Sequence, residues 1–527
     1  MPGAERREGP DQMPHPAEGD SYDRQVRDIA KGGGLELSAS LIGYLIGAIS
    51  GPVTARLLGT AGLGLYDLGR SLLELLSSFL RLGYPQAIMR FAGVFDGQGR
   101  FEKTRGVLTG TLFSALALGC AVGAALVIWP EWLSVDIYHK PEFTPVLRIV
   151  ALALPPTLIF MFLSEATVAR RDVRYKAISR IVIRLVILIL IVLLVGVLKL
   201  GVAGAAYAML LGGVVAAAIV LYGSTRLFQR ISFADFKHYE FVAVHRFALP
   251  LALGQVAQFG LFRVNQMIGG AFVSAAALGL FGAASRVAIF GTMGLAATTA
   301  IFSPIISRLH SQGRLDDLRA LFQTVTRWSY HFTVPLMVFA IFKARSVMHV
   351  FGPEFTEGTL TLQILCAGEI VNVSVGAASV MLAMSGNQWL VAGNNVALSL
   401  LNIGLCFTLA PRYGVLGLAL SAAIATALVN LVRAGELWWL YRISAYTRRA
   451  AGMPLLAGLC ASPLLLIRFD FWALDILLPG LAFALAYAAV VRLIGLERDD
   501  RQVLAALRRK LSLHRRTGPD ANSDEEH

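Results

Sequence analysis

The chain has 527 residues, of which 56% are hydrophobic and 15% charged, with 47 Lys and Arg against 34 Asp and Glu for a net charge of +13. That apolar excess excludes a soluble enzyme or binding module, and the chain reads as an all-α integral membrane protein. The basic residues sit in short connections between apolar runs, so their excess is a topology signal and implies no nucleic-acid partner.

Residues 1–30 are rich in Pro, Gly and charge and are expected to form a disordered cytoplasmic tail. No signal peptide precedes the first apolar run, which begins near Leu35 and is long enough to span, so that helix is expected to be retained. Apolar runs of spanning length then recur at 36–57, 65–90, 106–129, 146–168, 179–198, 201–223, 245–264, 272–304, 328–351, 359–384, 389–410, 414–440, 451–468 and 471–493, about fourteen transmembrane helices. The four cysteines, Cys120, Cys366, Cys406 and Cys460, lie inside these runs without metal-ligand spacing and read as small apolar residues. From Leu496 to Leu513 an apolar face opposes Arg501, Arg508, Arg509 and Lys510, a pattern open to a helix on anionic headgroups or to a solvated basic tail.

The chain repeats itself. Leu63-Gly64-Leu65-Tyr66 returns as Leu278-Gly279-Leu280-Phe281, Gln98-Gly99-Arg100 as Gln312-Gly313-Arg314, and Gly201-Val202-Ala203-Gly204 as Gly414-Val415-Leu416-Gly417, at offsets of 215, 214 and 213. Three matches in one order at nearly one spacing imply a duplicated unit. Spans one to six then form a first lobe over 31–230 and spans seven to twelve a second over 246–442, as parallel repeats because six is even. The last two spans, in 443–495, lie outside the duplication, and 496–527 is a basic cytoplasmic tail. The connecting segment 231–245 mixes Phe233, Phe236, Tyr239 and Phe241 with Asp235, Lys237 and Glu240, which suits an interfacial cytoplasmic helix or a plain tether.

Every second connection is basic: Arg100, Lys103 and Arg105, then Arg170, Arg171, Arg174 and Lys176, then Arg226, Arg230 and Lys237, then Arg308, Arg314 and Arg319, then Arg442, Arg448 and Arg449. The connections between them carry acids such as Glu131, Asp136, Glu142, Glu354 and Glu357. Both termini are therefore expected on the cytoplasmic side.

Function is sought in polar residues within the spans, because an ionisable group at the bilayer centre costs roughly 2.5 to 3.5 kcal/mol on insertion scales and faces a cavity or a partner. In span two Asp67, Arg70, Glu74, Ser78 and Arg81 follow at steps of three or four and share one helix face. Either they glue helices together, with Arg70 and Glu74 paired at i,i+4, or the arginines line a cavity and grip an anion through guanidinium geometry. Arg56 ends the first span, Arg263 ends the seventh and Arg286 sits in the eighth, so a cavity between spans one, two, seven and eight would be cationic; each arginine alone could instead snorkel or cap a helix. Gly43, Gly47 and Gly51, followed by Pro52, fit close helix packing or a bending point. Gln255, Gln258, Asn265 and Gln266 place amides along span seven, for a cavity wall or interhelical bonding. Glu369 in span ten, near Asn372 and Asn402, is the candidate for proton or sodium coupling, with a structural carboxyl as the alternative. No Gly-x4-Gly-Lys-Ser/Thr loop, His-Glu-x2-His pair or nucleophile elbow occurs, and the expected exoplasmic loops are short for a glycan polymerase or ligase.

The run Gly51-Pro52-Val53-Thr54-Ala55-Arg56-Leu57-Leu58-Gly59, followed by Gly62-Leu63-Gly64-Leu65-Tyr66, resembles the first-loop pattern of polysaccharide flippases in the multidrug/oligosaccharidyl-lipid/polysaccharide exporter superfamily. The resemblance covers about residues 30–495 and implies alternating-access transport of undecaprenyl-pyrophosphate-linked glycans across the bacterial inner membrane, with no enzymatic step. It implies as partners the glycan-lipid, membrane lipids and polysaccharide polymerase or assembly proteins. In related lipid II flippases, arginines near the ends of spans one, two and eight face the central cavity, which matches Arg56, Arg70 or Arg81, and Arg286 here. The two extra spans there form a groove for the lipid tail, which maps to 451–493. Some relatives bind sodium through acids in spans seven and eleven; this chain has none there, so Na+ or H+ coupling is left open and no other cofactor is implied. An exporter of drugs or small metabolites and a membrane glycan ligase or polymerase are the competing readings.

Overall fold

The computed structural model describes residues 16–170, 172–228, 233–444, 463 and 466–494, among which the chain is helical and holds no strand. The first half comprises α1 (Pro16–Leu80), α2 (Tyr84–Gly97), α3 (Phe101–Ile128), α4 (Thr144–Ala169), α5 (Arg174–Ile191) and α6 (Gly201–Leu227). The second comprises α7 (Phe241–Phe272), α8 (Ala275–Ala288), α9 (Phe290–Ser311), α10 (Leu315–Phe342), α11 (Ala344–His349), α12 (Thr359–Ser374), α13 (Ala378–Met384), α14 (Gln388–Tyr413) and α15 (Val415–Tyr441), and α16 (Trp472–Ile494) follows.

Among the described residues ten helices are long and apolar enough to cross a membrane, as a multi-pass membrane protein requires. The difference from the expected fourteen has physical causes. Ser38–Leu80 joins the first two expected spans, because a kink at Gly59 (φ 69°, ψ −178°) takes the place of a loop. The second half makes the same junction with extended residues, Val273 and Ser274, and the Ser274 hydroxyl caps α8 by accepting from the Ala277 amide at 3.2 Å. The seventh and ninth expected spans exist as α7 and α10, and the later part of α10 carries Arg327, His331 and Pro335, which lower its apolar character. The expected span 451–468 and the tail 496–527 fall almost wholly outside the described residues. Helix α1 also reaches back to Pro16, into the segment expected to be disordered.

All three repeated motifs turn out to be glycine positions. Gly99 and Gly313 take left-handed φ of 71° and 68° just past the ends of α2 and α9, and Gly201 and Gly414 take 57° and 58° where α6 and α15 begin. Within the first half α4 packs on α6 and α3, and α5 on α6 and α1; within the second α14 packs on α15 and α7, and α10 on α9 and α12. The halves meet where α8 lies along α1 and α2 along α7, whereas α9 packs on α10, α12 and α13 of its own half. Helix α16 runs along α10, with Phe483 against Phe339 and the Tyr487 hydroxyl 2.7 Å from His331 Nδ1. Its start is pinned by a buried pair, Lys343 Nζ to Asp475 Oδ1 at 2.7 Å, with Ser346 donating to the other carboxylate oxygen.

The linker docks on the first half. Residues Phe233–His238 form a 3₁₀ turn against α3, where Gly106 lies under the His238 backbone and Gly110 under the Tyr239 ring. Lys103 pairs with Glu240 and Arg105 with Asp235, so the described part of the segment is held by protein contacts, as a 3₁₀ turn followed by the start of α7. Burial raises the Tyr239 hydroxyl above its ordinary pKa.

A cationic site between the halves

The Leu-Gly-Leu motif makes the contact between the halves. A Cβ on Gly64 would collide with the Ala275 carbonyl, and a Cβ on Gly279 with the Thr60 carbonyl, so the duplicated glycines oppose each other reciprocally. Backbone approaches backbone there, which only glycine permits. One turn further on, Arg286 Nη1 donates to Asp67 Oδ2 at 2.7 Å and Nη2 to Oδ1 at 2.5 Å, a bidentate pair joining partners 219 residues apart. Asp67 is only 7% exposed, and Gly282 leaves the space its carboxylate fills.

Next to this lock Arg70 lies one turn beyond Asp67 on the same face of α1, with its side chain 45% exposed, as suits a cation lining a space between helices. It pairs with Glu74 at 2.9 Å, as i,i+4 spacing allows. The glycine stripe of α1 faces the cations: a Cβ on Gly43 would collide with the Arg184 guanidinium, one on Gly51 would lie 3.2 Å from the Arg286 side chain, and one on Gly47 would meet nothing within 4 Å. The stripe therefore seats arginine side chains, in place of the helix backbone that close packing would put there. Arg184 and Arg180 on α5 were not singled out from the sequence, although two arginines one turn apart inside an expected span were a readable signal.

The remaining candidates scatter. Arg56 donates through Nε to the Val350 carbonyl at 2.8 Å and through Nη2 to that of His349 at 3.4 Å, and its guanidinium lies 5.3 Å from the Trp472 ring, so it ties α1 to the end of α11 and the start of α16. Arg81 follows the end of α1, half-buried, with a buried Nε that lacks a hydrogen-bond partner. Gln255, Gln258 and Arg263 lie on α7 where side chains are outside the described residues. Asn265 is not a cavity-wall amide: it is buried, donates to Ser421 Oγ and the Leu418 carbonyl at 2.9 Å each, and accepts from Asn402 at 2.7 Å, binding α7 to α14 and α15. Glu369 accepts from Asn372 at 3.0 Å and so begins a polar chain through Asn430 and Arg433 to Asn395, across α12, α15 and α14.

A second polar contact between the halves lies on the connection before α4. Lys140, buried, donates to the Gly270 carbonyl at 2.5 Å in the last turn of α7, where the helix dipole favours a cation. The neighbouring Tyr138 ring occupies the space beside Gly270, and burial pushes its hydroxyl up to about 12. Among the described residues no cluster of His, Cys, Asp or Glu could hold a metal ion.

A family model described as polysaccharide biosynthesis protein matches residues 29–310. The chain superposes on the inward closed conformation of the lipid II flippase MurJ with a TM-score of 0.68, at 16% identity over 86% of this chain and 98% of that one. It superposes on an inward-facing multidrug resistance MATE family transporter of the MOP superfamily with a TM-score of 0.64, at 16% identity over 76% and 95%. A MOP superfamily transporter from Pyrococcus furiosus matches at 0.53, with 16% identity over 80% and 96%. No curated protein matches the sequence. At such identities the structural likenesses establish the fold, which is that of these transporters.

Proposed function

We propose, from the premise that this chain belongs to the polysaccharide biosynthesis protein family, that it moves an anionic lipid-linked oligosaccharide across the bacterial inner membrane by alternating access. The observation that carries the reading is the exposed Arg70 guanidinium one turn from the Asp67–Arg286 lock, which brings two arginines together where the halves meet. A pyrophosphate can replace the Asp67 carboxylate on Arg286, because both present paired oxygens to a guanidinium. The exchange leaves Arg286 satisfied while releasing α8 from α1, so substrate binding favours the rearranged state by differential contact. The polyprenyl chain stays in lipid, the sugars occupy the space between the halves, and both termini with the basic loops face the cytoplasm. Cationic drugs would need a free carboxylate, and here Asp67 and Glu74 each face an arginine already.

Glu369 is the candidate coupling carboxylate, since it heads the polar chain within the second half and can exchange H+ or Na+ as Asn372 reorients. The test of the function is depletion in cells with mass spectrometry of the lipid fraction. A glycan-lipid accumulating on the cytoplasmic leaflet is the expected outcome, and unchanged lipid-linked glycans would sink the reading.

A further inference from the structure

Arg184 stands apart from the other cavity arginines. Arg286 is neutralised by Asp67 and Arg70 by Glu74, whereas the groups within electrostatic reach of Arg184 are the cations Arg70 and Arg180 and the Tyr44 hydroxyl. Among the described residues no carboxylate reaches it. It lies ten residues into α5, about 15 Å along the helix at 1.5 Å per residue, and so near mid-membrane. Its position is built in, because Gly43 on α1 lacks the Cβ that would occupy the guanidinium's place. A partly buried cation whose charged neighbours are cations is unfavourable until an anion joins it.

The geometry points to a second anion subsite within the first half, formed by Arg184 on its Gly43 seat together with Arg70, which takes an oxyanion of the transported molecule apart from the group held at Arg286. The inference rests on the transport reading and adds to it that the substrate carries at least two separated negative groups. An oxyanion there is either a phosphate of the lipid carrier or the carboxylate of an acidic sugar, since a guanidinium grips both through paired oxygens.

The test uses full-length protein in detergent micelles, with inorganic pyrophosphate and glucuronate as separate calorimetric probes. The variants are Arg184→Gln, Gly43→Ala, which displaces Arg184 without deleting its charge, and Arg174→Gln as an exposed control on the same helix. Losing one charge-assisted contact should weaken the recognised probe about 10-fold or more in Arg184→Gln, several-fold in Gly43→Ala, and not at all in Arg174→Gln. A loss confined to pyrophosphate assigns the subsite to the carrier phosphate, and one confined to glucuronate assigns it to an acidic sugar. If Arg70→Gln weakens either probe while Arg184→Gln and Gly43→Ala leave both unchanged, the subsite is refuted and the transport reading stands. If the wild-type protein binds neither probe the subsite is refuted, and the transport reading then stands or falls on whether lipid-linked glycan accumulates when the protein is depleted.

Discussion

The start of α8 is the internal copy of the middle of α1, yet the two carry different chemistry. At an offset of 215 residues Asp67 corresponds to Gly282, Arg70 to Ser285, Ser71 to Arg286, Glu74 to Ile289 and Arg81 to Ala296. The backbone contact is symmetric, since Gly64 and Gly279 each admit the other's helix, but the charges are not. Duplication supplied two interchangeable surfaces, and divergence then made them complementary: a carboxylate on one fits the glycine on the other, and the arginine beside that glycine answers the carboxylate. A symmetric contact would hold the halves equally in any solvent, whereas an ion pair can be exchanged for an anionic ligand. The asymmetry is therefore where a substrate can act on the scaffold.

The largest test of that contrast removes one side of the lock. Asp67→Ala or Arg286→Ala leaves a buried charge without its partner and should destabilise the protein by about 3 to 5 kcal/mol, read as a lowered midpoint of thermal unfolding in detergent. The double variant should lose clearly less than the sum of the single losses, because neither charge is then stranded. Additive losses would show that the pair does not couple the halves.

A smaller loss should follow from the symmetric part. Gly64→Ala and Gly279→Ala each drive a Cβ into a backbone carbonyl of the opposing helix, which cannot rotate away as a side chain would. Each should cost about 1 to 3 kcal/mol as overpacking, and the two should agree closely because the contact is reciprocal. A loss at one glycine alone, measured by the same unfolding midpoints, would mean that the repeat is not preserved at its own interface.

The legibility of these features in the sequence follows from distance along the chain. The spans and the repeat were readable because hydrophobic runs and short motifs are local, and Arg70 with Glu74 was readable because helix geometry fixes i,i+4 neighbours. The Asp67–Arg286 pair joins residues 219 apart, and Arg184 finds its seat on Gly43 from another helix, so neither pairing has a local signature. Arg56, at the end of a span, bonds the His349 and Val350 carbonyls at the end of α11, partners 293 and 294 residues away that likewise have no local signature. The glycine stripe stayed open to more than one reading because small residues at four-residue spacing admit a helix backbone or a long side chain equally well.

The smallest effect on stability should come from Arg70, and that smallness separates its role from that of Arg286. Arg70 and Glu74 form a half-exposed pair on one helix, worth under about 1 kcal/mol, and no other half of the molecule depends on it. Arg70→Gln should therefore unfold within a few degrees of the wild type. Its counterpart in the second half is already Ser285, which shows that the fold does not need a cation at this register. Transport, however, should fall about 10-fold or more, since the variant removes one charge-assisted contact to the substrate's oxyanion and leaves Arg184 to hold it alone. Glycan export in cells carrying this variant, set beside its unfolding midpoint, distinguishes the two roles: near-normal stability with lost export places Arg70 on the substrate path, and normal export would reduce the whole charged stripe of α1 to a structural device.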